Sequence, residues 1–150
     1  MTKKRGDILI VDDDPGMGRL LSIRLESEGY SVRTAEDGEA AMAEAAKSRP
    51  DIVVSDLRME PVDGMALLQR LQESLPGLPV IMMTAYGTIP DAVEATRRGA
   101  YGFVTKPIDK DELFLILDHT ETARGPHHQE NPLIERIASA AIARRSAPFV

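Results

Sequence analysis

Residues 8–15 read Ile-Leu-Ile-Val-Asp-Asp-Asp-Pro: an apolar run, three carboxylates and a proline. The pattern recurs with different polar ends. Ile52-Val53-Val54-Ser55 leads to Asp56, Val80-Ile81-Met82-Met83 to Thr84, and Phe103-Val104-Thr105 to Lys106-Pro107. If these runs are parallel strands of one sheet, their C-terminal ends meet at one edge. That edge would gather three carboxylates, a hydroxyl and an ammonium.

The intervening segments support such a sheet. Pro15 opens a helix with Met17, Leu20, Leu21 and Leu25 on one face, and Gly29 closes it. Residues 31–35 form a more polar strand, as suits a sheet edge. Asp37 caps an Ala-rich helix running to Lys47. After the strand at 51–55, Asp63 caps a helix carrying Met65, Leu68, Leu71 and Leu75, and Pro76 to Pro79 form a turn. The strand at 80–84 is followed by a helix from Pro90 to near Arg98, with Gly99 as its C-cap. A strand at 101–105 precedes a last helix, 109–122, which packs with Leu113, Ile116, Leu117 and Thr120. Strand and helix alternate throughout, which predicts an α/β domain with a parallel sheet covered on both faces. Ligands in such sheets bind beyond the carboxyl ends of the strands. That rule brings Asp12, Asp13, Asp56, Thr84 and Lys106 to one crevice.

The chain has 150 residues, room for one domain and an appendage. Its net charge of -6 is uneven. Residues 1–122 hold 14 basic and 22 acidic side chains, a balance of -8, and the remainder holds 4 and 2, a balance of +2. An acidic body argues against a large nucleic-acid footprint on it. Cysteine is absent, which excludes disulfides, thiolate zinc sites and a cysteine nucleophile. Met1 to Arg5 is basic, but only four apolar residues follow, too few for a signal peptide or a membrane span. The expected location is cytoplasmic, with no membrane partner. Two units are expected: a domain over 1–122, and a linker with the start of a helix over 123–150. Gly125 to Glu130 reads as the linker. Asn131 caps and Pro132 starts a helix whose stripe is Leu133, Ile134, Ile137, Ala138, Ala141 and Ile142. The ending Pro148-Phe149-Val150 points to a longer protein.

The cluster suggests phosphoryl chemistry. Carboxylates brought close raise each other's pKa unless a cation is supplied. A hard divalent ion relieves this, and Mg²⁺ is usual where phosphate is handled. A carboxylate can also be the nucleophile, giving an aspartyl-phosphate. Lys106 and the metal would neutralise charge on the transferring group. The Thr84 hydroxyl could bond a phosphoryl oxygen, and the small Ala85 leaves access open. Singly, each residue has an ordinary reading: a helix cap, a loop carboxylate, a strand end, a solvated lysine. The joint pattern at one edge carries the inference. Other signals weigh less. Gly16 and Gly18 hint at a dinucleotide fingerprint, but Leu21 replaces the third glycine and three acids would repel the anion. His127-His128 lacks partner ligands. Met82-Met83 reads as core packing.

The motifs VDDDP (11–15), SDLRM (55–59), VDG (62–64), MTAYG (83–87) and GAYGFVTKP (99–107) resemble the receiver domain of two-component response regulators across residues 7–122. The resemblance implies a flavodoxin-like (βα)5 doubly wound sheet of strand order 2-1-3-4-5. It implies that Asp56 is phosphorylated by a histidine kinase. Mg²⁺ would be held by Asp12, Asp13, Asp56 and the Arg58 backbone carbonyl, with Asp12 acting largely through water. Thr84 would be the switch hydroxyl, Phe103 the switch aromatic, Lys106 the site lysine, and Lys106-Pro107 a cis bond. Phosphorylation would draw Thr84 toward the phosphoryl group and turn Phe103 inward. The chain would catalyse only its own phosphoryl transfer and autodephosphorylation, and would not otherwise be an enzyme. One departure stands out. Relatives usually carry proline four residues after the acceptor, where this chain has Glu60 and then Pro61. The loop path, metal geometry and phosphoryl lifetime are expected to differ accordingly, with Arg58 and Tyr86 tuning access of water.

DLRM, TAYG, TIPDAVEATRRGA and KPIDKDEL further resemble receivers of sigma-54-dependent activators of the nitrogen-regulator type. There an AAA+ ATPase and a DNA-binding domain follow the receiver. The 150 residues contain neither, so DNA would be reached only through an absent C-terminal domain. A homodimer is expected, through the face of the fourth helix, fifth strand and fifth helix, or through the C-terminal helix. Two alternatives remain: a stand-alone phosphorelay receiver, and a haloacid-dehalogenase-type phosphatase in which Asp12 and Asp14 supply an Asp-x-Asp pair.

Overall fold

The computed structural model describes residues 6–59, 63–85 and 88–123. The expected linker and helix beyond 123, the Glu60-Pro61 departure and Tyr86 lie outside the described residues. Ten elements alternate: β1 (Gly6–Val11), α1 (Pro15–Ser27), β2 (Tyr30–Ala35), α2 (Gly38–Lys47), β3 (Ile52–Asp56), α3 (Gly64–Ser74), β4 (Val80–Ala85), α4 (Ile89–Arg97), β5 (Gly102–Lys106) and α5 (Lys110–Ala123). The five strands are all parallel, in the order β2-β1-β3-β4-β5. The flavodoxin-like order expected from the receiver resemblance is therefore observed, with the more polar β2 at an edge. Strand order reverses between β1 and β3, so a crevice opens where their C-terminal ends part.

Period-two alternation divides the core into two layers. Ile8, Ile10, Ile52, Val54, Ile81, Met83 and Val104 face one side and pack with Leu21 and Leu25 of α1 and Leu113, Ile116 and Leu117 of α5. Leu9, Val11, Val53, Val80, Met82 and Phe103 face the other and pack with α2, α3 and α4 through Ala41, Ala45, Leu67, Leu68, Leu71, Ala92 and Ala95. β3 is buried at every position. Each fully buried aliphatic side chain contributes about 1.5–3 kcal/mol, and a sheet covered on both faces has little freedom to shift its ends.

Aspartates start four of the helices, Asp109 opening α5 by accepting from the Asp111 amide at 2.9 Å. Asp14 accepts from the Gly16 amide at 2.9 Å, Asp37 from Ala40 at 2.7 Å and Asp63 from Ala66 at 2.9 Å. Two expected helix faces are corrected. Leu20 is 46% exposed, and Gly18, Leu21 and Leu25 form the buried stripe of α1. In α3, Leu67 joins Leu68 and Leu71 in the core, whereas Met65 and Leu75 are only partly buried. At 100° per residue, adjacent leucines compete for one stripe, and the direction of the helix over the sheet decides which enters. No described helix is long and apolar enough to cross a membrane.

Candidate phosphoryl-transfer site

Sheet register builds the site. Val11 is level with Ser55 across β1 and β3, so Asp12 and Asp56 follow side by side where the strands end. Asp56 is level with Met83, and Ala85 with Lys106. Lys106 thus reaches inward from the neighbouring edge of the same crevice. Its Nζ donates to Asp12 Oδ2 and to Asp56 Oδ2, each at 3.1 Å. Ligand atoms of Asp12, Asp13 and Asp56 all lie within 4.8 Å of one another. Asp12 and Asp56 are buried and Asp13 is exposed, so the cluster opens to solvent on the Asp13 side.

Both buried carboxylates are oriented. Asp12 Oδ1 accepts from the Asp14 amide at 2.9 Å, leaving Oδ2 for Lys106. Asp56 Oδ1 accepts from the Arg58 amide at 3.3 Å, so the loop after β3 folds back over its side chain. Gly64 makes that return possible. A Cβ there would lie 2.5 Å from the Asp56 carbonyl oxygen and 2.8 Å from Leu57 Cα. The Gly64 amide instead donates to the Leu57 carbonyl at 2.9 Å, seating the start of α3 against the exit of β3.

The electrostatics are strained in one direction. Burial pushes the Asp56 carboxyl above its ordinary range. Lys106 opposes this by hydrogen bond and charge, the Asp12 charge adds to it, and the Arg58 amide opposes it. Burial would lower Lys106, but Asp56 and then Asp12 more than offset this, and its ammonium is held above the usual lysine range. One ammonium therefore pairs with two buried carboxylates, and the third, Asp13, lies close to both without pairing with it. A hard divalent cation fits this donor set of carboxylate oxygens, one of them solvent-exposed. The fit rests on these oxygens and on their excess negative charge.

Thr84 is buried, and its hydroxyl points toward the start of α4. Oγ1 donates toward the carbonyls of Thr88 at 3.2 Å and Ala85 at 3.3 Å, and is in hydrogen-bonding contact with the Thr88 hydroxyl. Phe103 is 1% exposed and belongs to the same core as Ile89, Ala92 and Ala95. The ring therefore lies inside the core in this structure. The Lys106-Pro107 bond is cis, as expected. Asp14 is not in the carboxylate cluster; it caps α1, which leaves no Asp12/Asp14 pair for the phosphatase arrangement.

Two partners were not read from sequence. Thr88 meets Thr84, and Asp91 Oδ2 accepts from Arg58 Nη2 at 2.6 Å. Thr88 directly precedes Ile89-Pro90 and could have been marked as an N-cap. The Arg58–Asp91 pairing spans 33 residues and has no local signature.

A five-stranded parallel sheet with crowded aspartates and one lysine at its switch point defines the class. The family described as response regulator receiver domain matches residues 8–118, and the chain belongs to it. Among curated relatives, it is 48% identical over 130 residues to the transcriptional regulatory protein GlrR of Escherichia coli (strain K12), covering 87% of this chain and 29% of that protein. It is 43% identical over 121 residues to the nitrogen assimilation regulatory protein NtrX of Azorhizobium caulinodans, covering 79% and 27%. The crystal structure of the receiver domain of NtrX from Brucella abortus superposes with a TM-score of 0.75 at 38% identity, covering 77% of this chain and 98% of that one. These relatives bear out the resemblance to receivers of sigma-54-dependent activators of the nitrogen-regulator type. The chain spans under a third of the length of GlrR and NtrX.

Proposed function

We propose that the chain is a phosphoacceptor switch and that Asp56 takes the phosphoryl group from a histidine kinase. The observation that supports this most is the shared ammonium. Lys106 Nζ stands 3.1 Å from both Asp12 and Asp56, with Asp13 beside them. Asp12, Asp13, Asp56 and the Arg58 carbonyl would hold Mg²⁺, which supplies charge neutralisation for the equatorial phosphoryl oxygens. The residues do the rest. An Asp56 oxygen attacks phosphorus as the bond to the donor imidazole nitrogen breaks, and that nitrogen leaves as neutral imidazole. Lys106 stays near the oxygens on which charge develops, and partial burial limits competing water.

The product adds negative charge and acceptor oxygens beside Thr84. The hydroxyl then exchanges Thr88 for a phosphoryl oxygen, which releases the first turn of α4. Phe103 stays packed beneath α4 and carries the change to β5. On this reading, residues 1–122 are the receiver and 123–150 begin the link to an output. That output is a sigma-54-dependent AAA+ and DNA-binding unit, with transcription as its target. Homodimerisation through the α4–β5–α5 face or the C-terminal residues belongs to the same reading. Sedimentation with and without residues 125–150 separates the two contacts. Incubation with acetyl phosphate and Mg²⁺ tests the acceptor. Wild type gains one phosphoryl group and Asp56→Asn gains none; labelling of the variant at the wild-type rate would refute the assignment. Thr84→Ala is expected to label but to lose the phosphorylation-dependent change in assembly.

A further inference from the structure

Arg58 follows the acceptor by two residues, and its amide already touches Asp56. Its side chain goes elsewhere. Nη2 donates to Asp91 Oδ2 at 2.6 Å, across an open cleft lined by Leu57, Arg58, Asp63, Met65 and Asp91. Asp91 sits in the first turn of α4, the same turn that Thr88 ties to Thr84. The loop after β3 is thereby fastened to the helix that the switch is expected to release.

We infer that Asp91 is a positioning residue: it parks Arg58 against α4, in competition with the phosphoryl group on Asp56. This rests on the reading of Asp56 as phosphoacceptor. The pair is exposed on both sides, 67% for Arg58 and 48% for Asp91, so its strength is that of a surface ion pair. A phosphoryl group on Asp56 offers the guanidinium more charge and a bidentate geometry. The exchange leaves little behind that is unsatisfied. Asp91 remains in water at a helix N-terminus, where the peptide dipoles favour a carboxylate. Thr88 makes no side-chain cap to the helix, so Arg58–Asp91 and Thr84–Thr88 are two tethers of one turn. Both would be surrendered to the same incoming group. Any ligand that binds the untethered state better shifts the equilibrium by its differential affinity, and the tether opposes that shift by its own, smaller free energy.

The test is a double-mutant cycle on binding of beryllium fluoride, a phosphoryl mimic, at saturating Mg²⁺ by titration calorimetry. Asp91→Asn is expected to raise affinity roughly two- to fivefold, the range of an exposed ion pair. Arg58→Ala is expected to lower it, and in the Arg58→Ala background Asp91→Asn should have no effect. Unchanged or weaker binding by Asp91→Asn overturns the inference. So does a gain that persists without Arg58. Acetyl phosphate labelling of each variant, located by mass spectrometry, separates the two levels. A label on Asp56 with no coupling in the cycle defeats the tether alone, while absence of the label from Asp56 defeats the acceptor reading and the tether with it.

Discussion

The two ends of the sheet both carry clustered charge, and they use it oppositely. At the N-terminal end, Arg33 donates to Asp7 Oδ2, the Glu44 carbonyl and the Ser48 carbonyl, each at 2.8 Å. Lys47 meets Glu44 at 3.1 Å, and Asp51 accepts from the Asp7 amide at 2.8 Å. Each acid there has its own donor, and the network ties β1, β2, α2 and the entry to β3 together. At the C-terminal end, Asp12, Asp13 and Asp56 crowd one another, and Lys106 pairs with Asp12 and Asp56. The first arrangement is satisfied and serves the fold. The second has its buried oxygens hydrogen-bonded but carries more negative charge than Lys106 offsets, and that surplus is held in place by a rigid sheet. Local electrostatic conflict on a consistent scaffold is the mark expected of a functional site.

The largest expected effect is at the shared ammonium. Lys106→Ala leaves the two buried carboxylates unpaired, which should cost on the order of 2–4 kcal/mol at neutral pH in denaturant unfolding. Labelling by acetyl phosphate should also fall sharply. Arg33→Ala is the matched change at the other end. It should cost about 1–2 kcal/mol through its lost hydrogen bonds and leave the labelling rate within about twofold of wild type. If Arg33→Ala slows labelling as much as Lys106→Ala does, the division between the two ends fails. Mg²⁺ should act on one end only. At about ten times its dissociation constant it adds roughly 1.4 kcal/mol to the wild type, several degrees in thermal midpoint. Asp56→Asn should lose most of this gain and Arg33→Ala none of it.

The smallest effect is the pH response without metal. The folded-state pKa of Asp56 is raised, so the folded chain binds the proton more tightly than the unfolded one. The Asp56 contribution to stability is then present below the ordinary carboxylate pKa, and is lost as pH rises through the raised folded value. Asp56→Asn should therefore be more stable than wild type at neutral pH, and the difference should close as pH falls through the carboxylate range. Thermal midpoints of both proteins from acid to neutral pH measure this. A constant difference would show that ionisation of Asp56 plays no part.

The strand–helix order was legible because buried strands such as Ile52 to Ser55 and caps such as Asp37 and Asp63 are local signals. The site residues were legible because parallel strands bring their ends to one edge whatever the packing details. Three things were not legible, for related reasons. Whether Leu20 or Leu21, Leu67 or Met65, turns inward depends on how each helix lies on the sheet. The position of the Phe103 ring depends on the space left beneath α4. The partners Thr88 and Asp91 depend on where that helix begins relative to β3 and β4. Each is a property of elements meeting, and no single stretch encodes it.

The claim that the crowded end exists to take a phosphoryl group is tested most directly by locating that group. Wild-type protein incubated with acetyl phosphate and Mg²⁺, digested at acid pH and read by tandem mass spectrometry, should carry phosphate on Asp56. Phosphate on Asp12, Asp13 or Asp14 instead, or none on any of them, would contradict the account.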